Sequence, residues 1–324
     1  MKKQFTSLLA LGLILTGCNQ TQTGPKDLSE VQVGVIQFVQ HPALDKSYEG
    51  FKDTLIEAGI KEENINFQNA GGDASNCQTI AETLVNEQND LIYAVATPSL
   101  QAAANKTTDI PIVGAAVTNF QNAGVVQSNE KPDTNVTGTS DLNPVKEQLE
   151  LLKQLVPNAK KIAIYYCNNE ANSVYQGELA KKAAKSLGLD ASIETVSESN
   201  EIQATSQALV GQYDAVYVPT DNLLAENMAT ATQVFNENNL PCIVGESGMC
   251  ENGGLATLSL DYYSVGQSAG KQALSILKGE SKPQDMAIST IPAKDCKYYI
   301  NQKVAKQLNI TIPADLLAKS IIIE

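Results

Sequence analysis

KIAIYYCNNEANSVYQGELAKKAAKSLG, residues 161–188, is the stretch that decides the fold. Residues 162–166 form a β-branched and aromatic run too short for a helix, which predicts a buried strand. A polar turn follows, in which Asn172 and Ser173 are residue types that cap a helix, and Gly188 can end that helix. In an open α/β sheet, such a turn lies at the carboxyl end of a strand, where ligands bind. The free N–H groups and the dipole of the helix favour an anion there.

The same strand–turn–helix pattern occurs earlier, in VGVIQFVQHPALDKSYEGFKDTLIEAG, residues 33–59. In both stretches the helix carries a Tyr two residues before a Gly, and both stretches close at a Gly. Two further pairs of segments match in the same order, 90–100 with 214–223 and 111–114 with 241–245. Three matches in one order indicate two homologous βαβαβ units, each with a parallel sheet covered by helices on both faces.

Length and the repeat together predict an α/β protein of two Rossmann-like lobes, with parallel sheets joined by a multi-strand hinge. The 324 residues exceed one ordinary domain. The first lobe is predicted to comprise residues 31–139 plus 262–285, and the second lobe residues 140–261 plus 286–324. Several connections between two lobes make a hinge that opens and closes.

The first residues predict export. Two lysines precede an apolar run that is too short to span a membrane as a mature helix. The run ends in Leu15-Thr16-Gly17-Cys18, which resembles a bacterial lipobox with a lipid attached to the Cys18 sulfur. Residues 1–17 are therefore predicted as a lipoprotein signal peptide and residues 18–30 as a tether, which places the protein on the extracytoplasmic face of the cell membrane. An ordinary signal peptide with an incidental Cys is the alternative.

The net charge and the residue composition limit the classes of molecule that the protein can bind. The net charge of −13 argues against nucleic acid and anionic lipid. All 23 basic residues are Lys, so no guanidinium is present to form a bidentate hydrogen bond with a ligand carboxylate or phosphate. An exported protein permits disulfides, and Cys242 and Cys250, on either side of a turn-like Gly245–Gly248 segment, are a candidate pair that spacing alone does not prove.

Catalytic motifs are missing from the sequence. The only histidine, His41, precedes Pro42 and is interpreted as structural or solvated. No zinc-ligand spacing, Gly-x-Ser-x-Gly, Walker loop or GxGxxG after a strand occurs. Residues 71–73, Gly-Gly-Asp, look phosphate-like but are better interpreted as a turn. The sequence therefore predicts a protein that is not an enzyme and has no metal or cofactor.

Binding is better supported, because polar turns follow strand ends in both predicted lobes, at residues 40–45, 96–99, 167–173 and 218–222. In a two-lobe fold these turns face one cleft. The alternative for each polar residue is a plain helix cap. Helix N-termini and hydroxyls suit a carboxylate, and four acids could take an ammonium: Asp141, Glu170, Asp221 and Asp261. Together they suit an α-amino acid, and Leu44, Val117 and Tyr262 are candidates for an apolar wall.

Six stretches resemble one known family: FVQHPALDKSYEGF (38–51), VATPSLQAAA (95–104), NVTGTSDLNPVKEQLELLKQLVPNAKKIAIYY (135–166), NEANSVYQGELAKKAAKSLG (169–188), DAVYVPTDNLLAENM (214–228) and GGLATLSLDYYSVGQSAGKQALSILKGE (253–280). The chain resembles the ABC-importer substrate-binding lipoproteins of the tryptophan/tyrosine type, which have a type I periplasmic-binding-protein fold. The resemblance covers about residues 31 to 300. Its specificity comes from the combination of HPALD, TGTSD, EANS and PTDN.

The resemblance implies a hinge-closing receptor that delivers an amino acid, aromatic by family (Trp, Phe or Tyr), to an ABC permease and its ATPase. The cleft residues it implies are Gln40, Leu44, Thr97, Ser99, Asp141, Glu170, Asn172, Ser173, Asp221, Asn222 and Asp261. The chain departs from the family pattern at Asn119, at Cys167 and in the segment of Cys242 and Cys250. A sensor of the same fold, binding a purine, sugar or peptide-like molecule and signalling to a membrane partner, is the alternative function.

Overall fold

The computed structural model describes residues 27–324, which form two α/β lobes. The first lobe begins with β1 (Val33–Gln37), α1 (Pro42–Glu57), β2 (Ile65–Asn69), α2 (Ala74–Asn86), β3 (Leu91–Val95), α3 (Thr97–Lys106), β4 (Ile112–Val117) and β5 (Val136–Ser140). Strands β1, β3, β4 and β5 are buried along their whole length, as expected for a parallel sheet covered on both faces.

The second lobe repeats this pattern. It contains α4 (Val145–Leu155), β6 (Lys161–Cys167), α5 (Ala171–Ser186), β7 (Asp190–Val196), α6 (Ile202–Leu209), β8 (Ala215–Val218), α7 (Asn222–Glu226), α8 (Met228–Glu237), β9 (Cys242–Val244), α9 (Ser247–Glu251) and β10 (Ala256–Ser259). The chain ends with α10 (Tyr262–Leu277), β11 (Ser289–Thr290), β12 (Lys297–Asn301), α11 (Gln302–Gln307), α12 (Ala314–Leu317) and β13 (Ser320–Ile323).

The sheet orders confirm the internal repeat. The first sheet runs β11-β5-β4-β3-β1-β2 and the second β13-β12-β10-β9-β8-β6-β7. Within them, β4-β3-β1-β2 and β9-β8-β6-β7 occupy equivalent positions. The two-lobe α/β prediction is therefore confirmed. One pairing differs from the expected parallel arrangement, because β12 runs antiparallel to β10.

Three connections join the lobes, which confirms the multi-strand hinge. They lie between β5 and α4, between β10 and α10, and between β11 and β12. The predicted boundaries shift at two of them. Strand β5 ends at Ser140 in the first sheet, and β11 pairs with it in parallel, so the chain returns to the second lobe after Thr290 and not near residue 286.

The N-terminal predictions lie mostly outside the described residues. The signal peptide, Cys18 and the tether up to residue 26 are not described. The end of the predicted tether is ordered on the first lobe: Leu28–Glu30 form a 3-10 helix, and the Asn64 amide donates to the Ser29 carbonyl oxygen at 3.0 Å. Between residues 27 and 324, no helix is both long and apolar enough to cross a membrane.

The candidate disulfide is not formed. Cys242 starts β9 and Cys250 lies in α9, and both are buried free thiols. The Cys250 thiol instead donates to the carbonyl oxygens of Gly254, at 3.5 Å, and Tyr299, at 3.9 Å. The helical turn at α9 therefore directs this thiol toward β12.

Candidate functional site

A small cavity lies between the lobes, lined by residues that follow the carboxyl ends of strands in both sheets. His41 and Leu44 come after β1, Asp141 comes after β5, and Asn172 and Asp221 come after β6 and β8. Parallel strands end at the same edge of a sheet, so a repeat of two such sheets places these turns opposite each other. The cleft predicted from the sequence therefore exists as a defined cavity.

Seven of the predicted residues lie at or beside this cavity. Leu44, Asp141, Asn172, Asp221 and Asn222 line it. Glu170 is buried and accepts a hydrogen bond from the Asn172 amide at 3.0 Å. Ser173 is also buried and accepts from the same amide at 3.1 Å, so both hold Asn172 in place.

Four predicted residues are not brought to the cavity. Gln40 is exposed at the end of its turn. Asp261 is exposed as well, because its carboxylate caps α10 by accepting from the Tyr263 N–H at 3.1 Å. Ser99 is buried beside the Cys77 thiol, at 3.6 Å, and Thr97 is buried next to it without lining the cavity.

Several cavity residues were missed by the sequence-based prediction. His41, Thr118, Thr220 and Glu246 line the cavity, together with Tyr262, which was expected only as part of an apolar wall. The sequence position of three of them could have indicated a place at the cavity: His41 and Thr220 lie in predicted cleft turns, and Thr118 directly follows β4. Glu246 lies in the segment interpreted as a disulfide-closed turn, which concealed its role.

Besides its own backbone N–H, the Asp141 carboxyl is held by two side-chain hydroxyls. The Tyr262 hydroxyl donates to one carboxylate oxygen at 2.9 Å, and the Thr118 hydroxyl donates to the other at 3.4 Å. Burial raises the pKa of Asp141 to about 6, against the opposing effect of these two bonds. No backbone group of a helix end occupies its oxygens, so Asp141 retains capacity for a charged donor.

Two other carboxyls of the cavity serve as helix caps. Asp221 accepts from the backbone N–H groups of Cys167 and Leu224, at 2.7 and 2.8 Å. Glu246 accepts from those of Gly248 and Met249, at 2.5 and 2.7 Å. Burial raises the pKa of Glu246 to about 7, and burial together with repulsion from Glu170 raises the pKa of Asp221.

A hydrogen-bonded chain crosses the cleft. In the second lobe, the Asn222 amide nitrogen lies 2.5 Å from a Glu170 carboxylate oxygen, and the Asn222 oxygen lies 3.3 Å from His41 Nε2 in the first lobe. Burial lowers the pKa of His41 to about 4, so the imidazole is neutral at physiological pH. A second interlobe bond runs from the Gln176 amide to the Thr118 hydroxyl, at 3.2 Å.

A larger groove of about 650 Å³ opens beside the cavity. Glu170 and Asn222 line the groove, and Asn222 also lines the cavity, so the two spaces adjoin. Its apolar wall includes Phe38, Pro98 and Leu223, which come from both lobes. A volume of this size exceeds that of a single small headgroup and falls in the range of ligand pockets.

Neither space has the composition of a metal site or a cation-lined anion site. No grouping of His, Cys, Asp and Glu within residues 27–324 has an arrangement that could hold a metal ion. The residues lining the cavity and the groove include no Lys, and the one imidazole is neutral. The site is therefore rich in buried acceptors and suited to a ligand that brings a cationic or polar hydrogen.

Comparison with known proteins gives consistent results. The chain matches the family described as ABC transporter substrate binding protein over residues 32–322. It is 39% identical over 323 residues to a tyrosine-binding protein of Clostridioides difficile (strain R20291), covering 95% of this chain and 93% of that protein. A structure of the ABC domain from Streptococcus pneumoniae in complex with L-Trp is 38% identical, with a TM-score of 0.86, and covers 90% of this chain and 99% of that one.

A second solved structure bears on the lobe arrangement. The ligand-free, open structure of a substrate binding protein with adhesive properties from Clostridium difficile is 39% identical and covers 91% of this chain and 99% of that one, yet its TM-score is 0.70. At nearly equal identity, the better match to the L-Trp complex is what a rotation of two lobes produces. Together with the bonds across the cleft, it indicates that the lobes are closed here.

Proposed function

The chain belongs to the family of ABC transporter substrate binding proteins, and from this we propose that it captures an aromatic amino acid (Trp, Phe or Tyr) between its lobes. The observation that carries the proposal is the interlobe cavity, in which buried carboxyls face a lining without Lys. The relatives support the side-chain class, since one is named tyrosine-binding and another is solved with L-Trp.

The amino acid is placed with only its ammonium group in the cavity, because the free space there, about 20 Å³, holds one water-sized group. Its ammonium lies against the Asp141 carboxylate, the only one of the three cavity-lining carboxyls that does not cap a helix. Such a charge-assisted hydrogen bond is stronger than a neutral one. The aromatic ring extends into the adjoining groove, against Phe38, Pro98 and Leu223. Burying a ring of this kind removes roughly 150–200 Å² from water, which contributes about 4–5 kcal/mol.

The family supports the transport partners in this proposal, and the predicted lipobox at Cys18 supports the anchor. The protein delivers its ligand to an ABC permease and its ATPase and carries out no reaction of its own. It acts on the extracytoplasmic face of the membrane, held there by a lipid on Cys18, the residue that follows the predicted signal peptide. Metabolic labelling with a fatty acid, lost in a Cys18→Ser protein, checks the anchor.

The ligand assignment is tested by mass spectrometry of small molecules retained on the purified protein, followed by titration calorimetry with L-Tyr, L-Trp and L-Phe. We expect one of these to bind with micromolar affinity or better. Asp141→Asn should weaken that binding at least tenfold, because the ammonium loses its counter-charge. Asp261→Asn, which removes an exposed acid outside the cavity, is the matched control. Binding of none of the three amino acids contradicts the proposal.

A further inference from the structure

We propose that His41 is a ligand-contacting residue whose Nδ1 accepts a hydrogen bond from the ligand's ammonium, in a tautomer set by Asn222 and Glu170 of the opposite lobe. This inference rests on the proposed function for the identity of the ligand. It reverses the interpretation of His41 from the sequence as a structural or solvated residue.

Glu170 determines the orientation of the Asn222 amide. The Glu170 carboxylate accepts from the backbone N–H groups of Asn222 and Leu223, at 3.2 and 2.9 Å, and from the Asn172 side chain at 3.0 Å. A carboxylate oxygen that already accepts several bonds takes the NH₂ group of a neighbouring amide and not its oxygen. The NH₂ of Asn222 therefore faces Glu170, at 2.5 Å.

The orientation of Asn222 in turn determines the His41 tautomer. The remaining atom of the Asn222 amide is its oxygen, which lies 3.3 Å from His41 Nε2. An amide oxygen only accepts, so Nε2 carries the hydrogen and donates it. A neutral imidazole has one hydrogen on its ring nitrogens, which leaves Nδ1 as an acceptor. The lowered pKa of His41 agrees with the neutral form.

The Nδ1 acceptor has no protein partner. His41 is 7% exposed, and Nδ1 is buried without a hydrogen bond to any residue between 27 and 324. His41 stands at the N-cap of α1, yet its side chain makes no capping bond, so a helix-end role does not account for it. Leaving a buried acceptor unpaired is unfavourable, and a ligand donor at this position would remove that cost.

A second unpaired acceptor belongs to Asn172, which lines the same cavity from the other lobe. Asn172 Oδ1 is buried and unpartnered among the described residues, because the Asn172 NH₂ is turned toward Glu170 and Ser173. The hydroxyls of the lining are engaged with protein groups: Tyr262 and Thr118 donate to Asp141, and Thr220 donates to the Gln176 side chain at 2.7 Å. The unpaired positions are therefore acceptors on residues that line the same cavity as Asp141, a composition that fits an ammonium.

Two substitutions of His41 distinguish the role of Nδ1 from the role of Nε2. An Asn side chain is as long as the path to Nδ1, so His41→Asn can keep an acceptor there while losing the contact with Asn222. A Gln side chain reaches as far as Nε2, so His41→Gln keeps a donor to Asn222 and loses the Nδ1 acceptor. Affinities for L-Tyr, L-Trp and L-Phe are measured by calorimetry for both variants, and thermal melts of the ligand-free proteins check folding.

We expect His41→Gln to weaken every ligand that the wild type binds by at least tenfold and by similar factors, because all three share the ammonium. His41→Asn keeps the acceptor but loses the interlobe bond to Asn222, so it should weaken binding less than His41→Gln does, and it should stay within about tenfold of the wild type even if His41→Gln does not fold. Undiminished affinity in His41→Gln, or equal losses in both variants, overturns the inference. A loss confined to L-Tyr and L-Trp assigns Nδ1 to a ring donor and overturns the ammonium contact. A wild type that binds none of them contradicts the proposed function instead.

Discussion

Asp141 makes ligand binding sensitive to pH, because the carboxyl that faces the ligand titrates near neutrality. Its pKa is raised to about 6 by burial in the free protein, and a bound ammonium would lower that pKa. Binding therefore competes with protonation below pH 6. We expect the affinity for the aromatic amino acid to fall by about tenfold between pH 7 and pH 5, and to vary less with pH in Asp141→Asn. Calorimetry at several pH values checks this, and an affinity that is constant from pH 7 to pH 5 contradicts it.

The ligand-free protein should show the opposite trend. A carboxyl whose pKa is raised on folding contributes stability that is present below its unfolded value, near 4, and is lost as the pH rises through about 6. His41 has a lowered pKa, so it contributes stability that is present above its unfolded pKa, near 6.5, and is lost as the pH falls toward about 4. The comparison with Asp141→Asn isolates Asp141: relative to that variant, the wild type should lose about 2–3 kcal/mol of unfolding free energy between pH 4 and pH 7. Denaturant titrations measure this difference, and parallel pH profiles for the two proteins contradict it.

At the residue scale, the sequence predicted the cleft turns but not which side chain of each turn faces inward. Gln40 and His41 are neighbours, and the extended backbone at His41 directs its ring to the cavity while Gln40 stays exposed. The same holds for Asp261 and Tyr262: the predicted residue, Asp261, turns outward to cap α10, and its neighbour Tyr262 lines the cavity. These choices depend on local backbone dihedrals, which a list of residue types does not contain.

The closest helix pair in the first lobe is α1 with α10, and glycines allow the contact. A Cβ atom on Gly266 would lie 1.9 Å from the Ser47 carbonyl oxygen, and one on Gly50 would lie 2.1 Å from that of Tyr263. Backbone atoms cannot move aside as a side chain can. The contact anchors α10, which follows the second hinge connection, to the first lobe.

Gly266→Ala should therefore separate these helices and destabilise the protein by about 2–3 kcal/mol or more, even though Ala is the better helix former. Lys271→Ala, an exposed change on the same helix, should alter stability by less than about 0.5 kcal/mol. Denaturant unfolding of the three proteins compares them. Equal stability of Gly266→Ala and the wild type would show that the two helices can shift apart at little cost.

At the element scale, the repeated strand–turn–helix units were predictable because each carries a full hydrophobic pattern and a helix-ending Gly. Strand β11 was not, since two residues carry no period. The start of α5 was predicted two or three residues too late, with Asn172 and Ser173 as caps. Glu170 holds the N-cap position instead, and its carboxylate bonds to Asn222 and Leu223 of the neighbouring turn, a tertiary contact that local pattern does not reveal.

For the whole molecule, the sequence predicted two lobes and a hinge but not the distance between the lobes. That distance depends on a few contacts across the cleft, and one of them has no room for a side chain. A Cβ atom added to Gly248 in α9 would lie 2.9 Å from the Pro42 Cβ of α1, in the opposite lobe. Carbon atoms in contact normally stay about 3.5–4.0 Å apart. Closure therefore requires a glycine at this position.

Gly248→Val should act as a wedge between the lobes. Because the main clash is with the opposite lobe, the ligand-free protein should melt close to the wild-type temperature, while the closed form becomes unfavourable and ligand affinity falls about tenfold or more. In small-angle scattering, the wild type should contract when ligand is added, and Gly248→Val should contract less at saturation. Ser247→Ala in the same helix is the control. A variant that contracts and binds as the wild type does would show that the lobes capture ligand without the contact between Pro42 and Gly248.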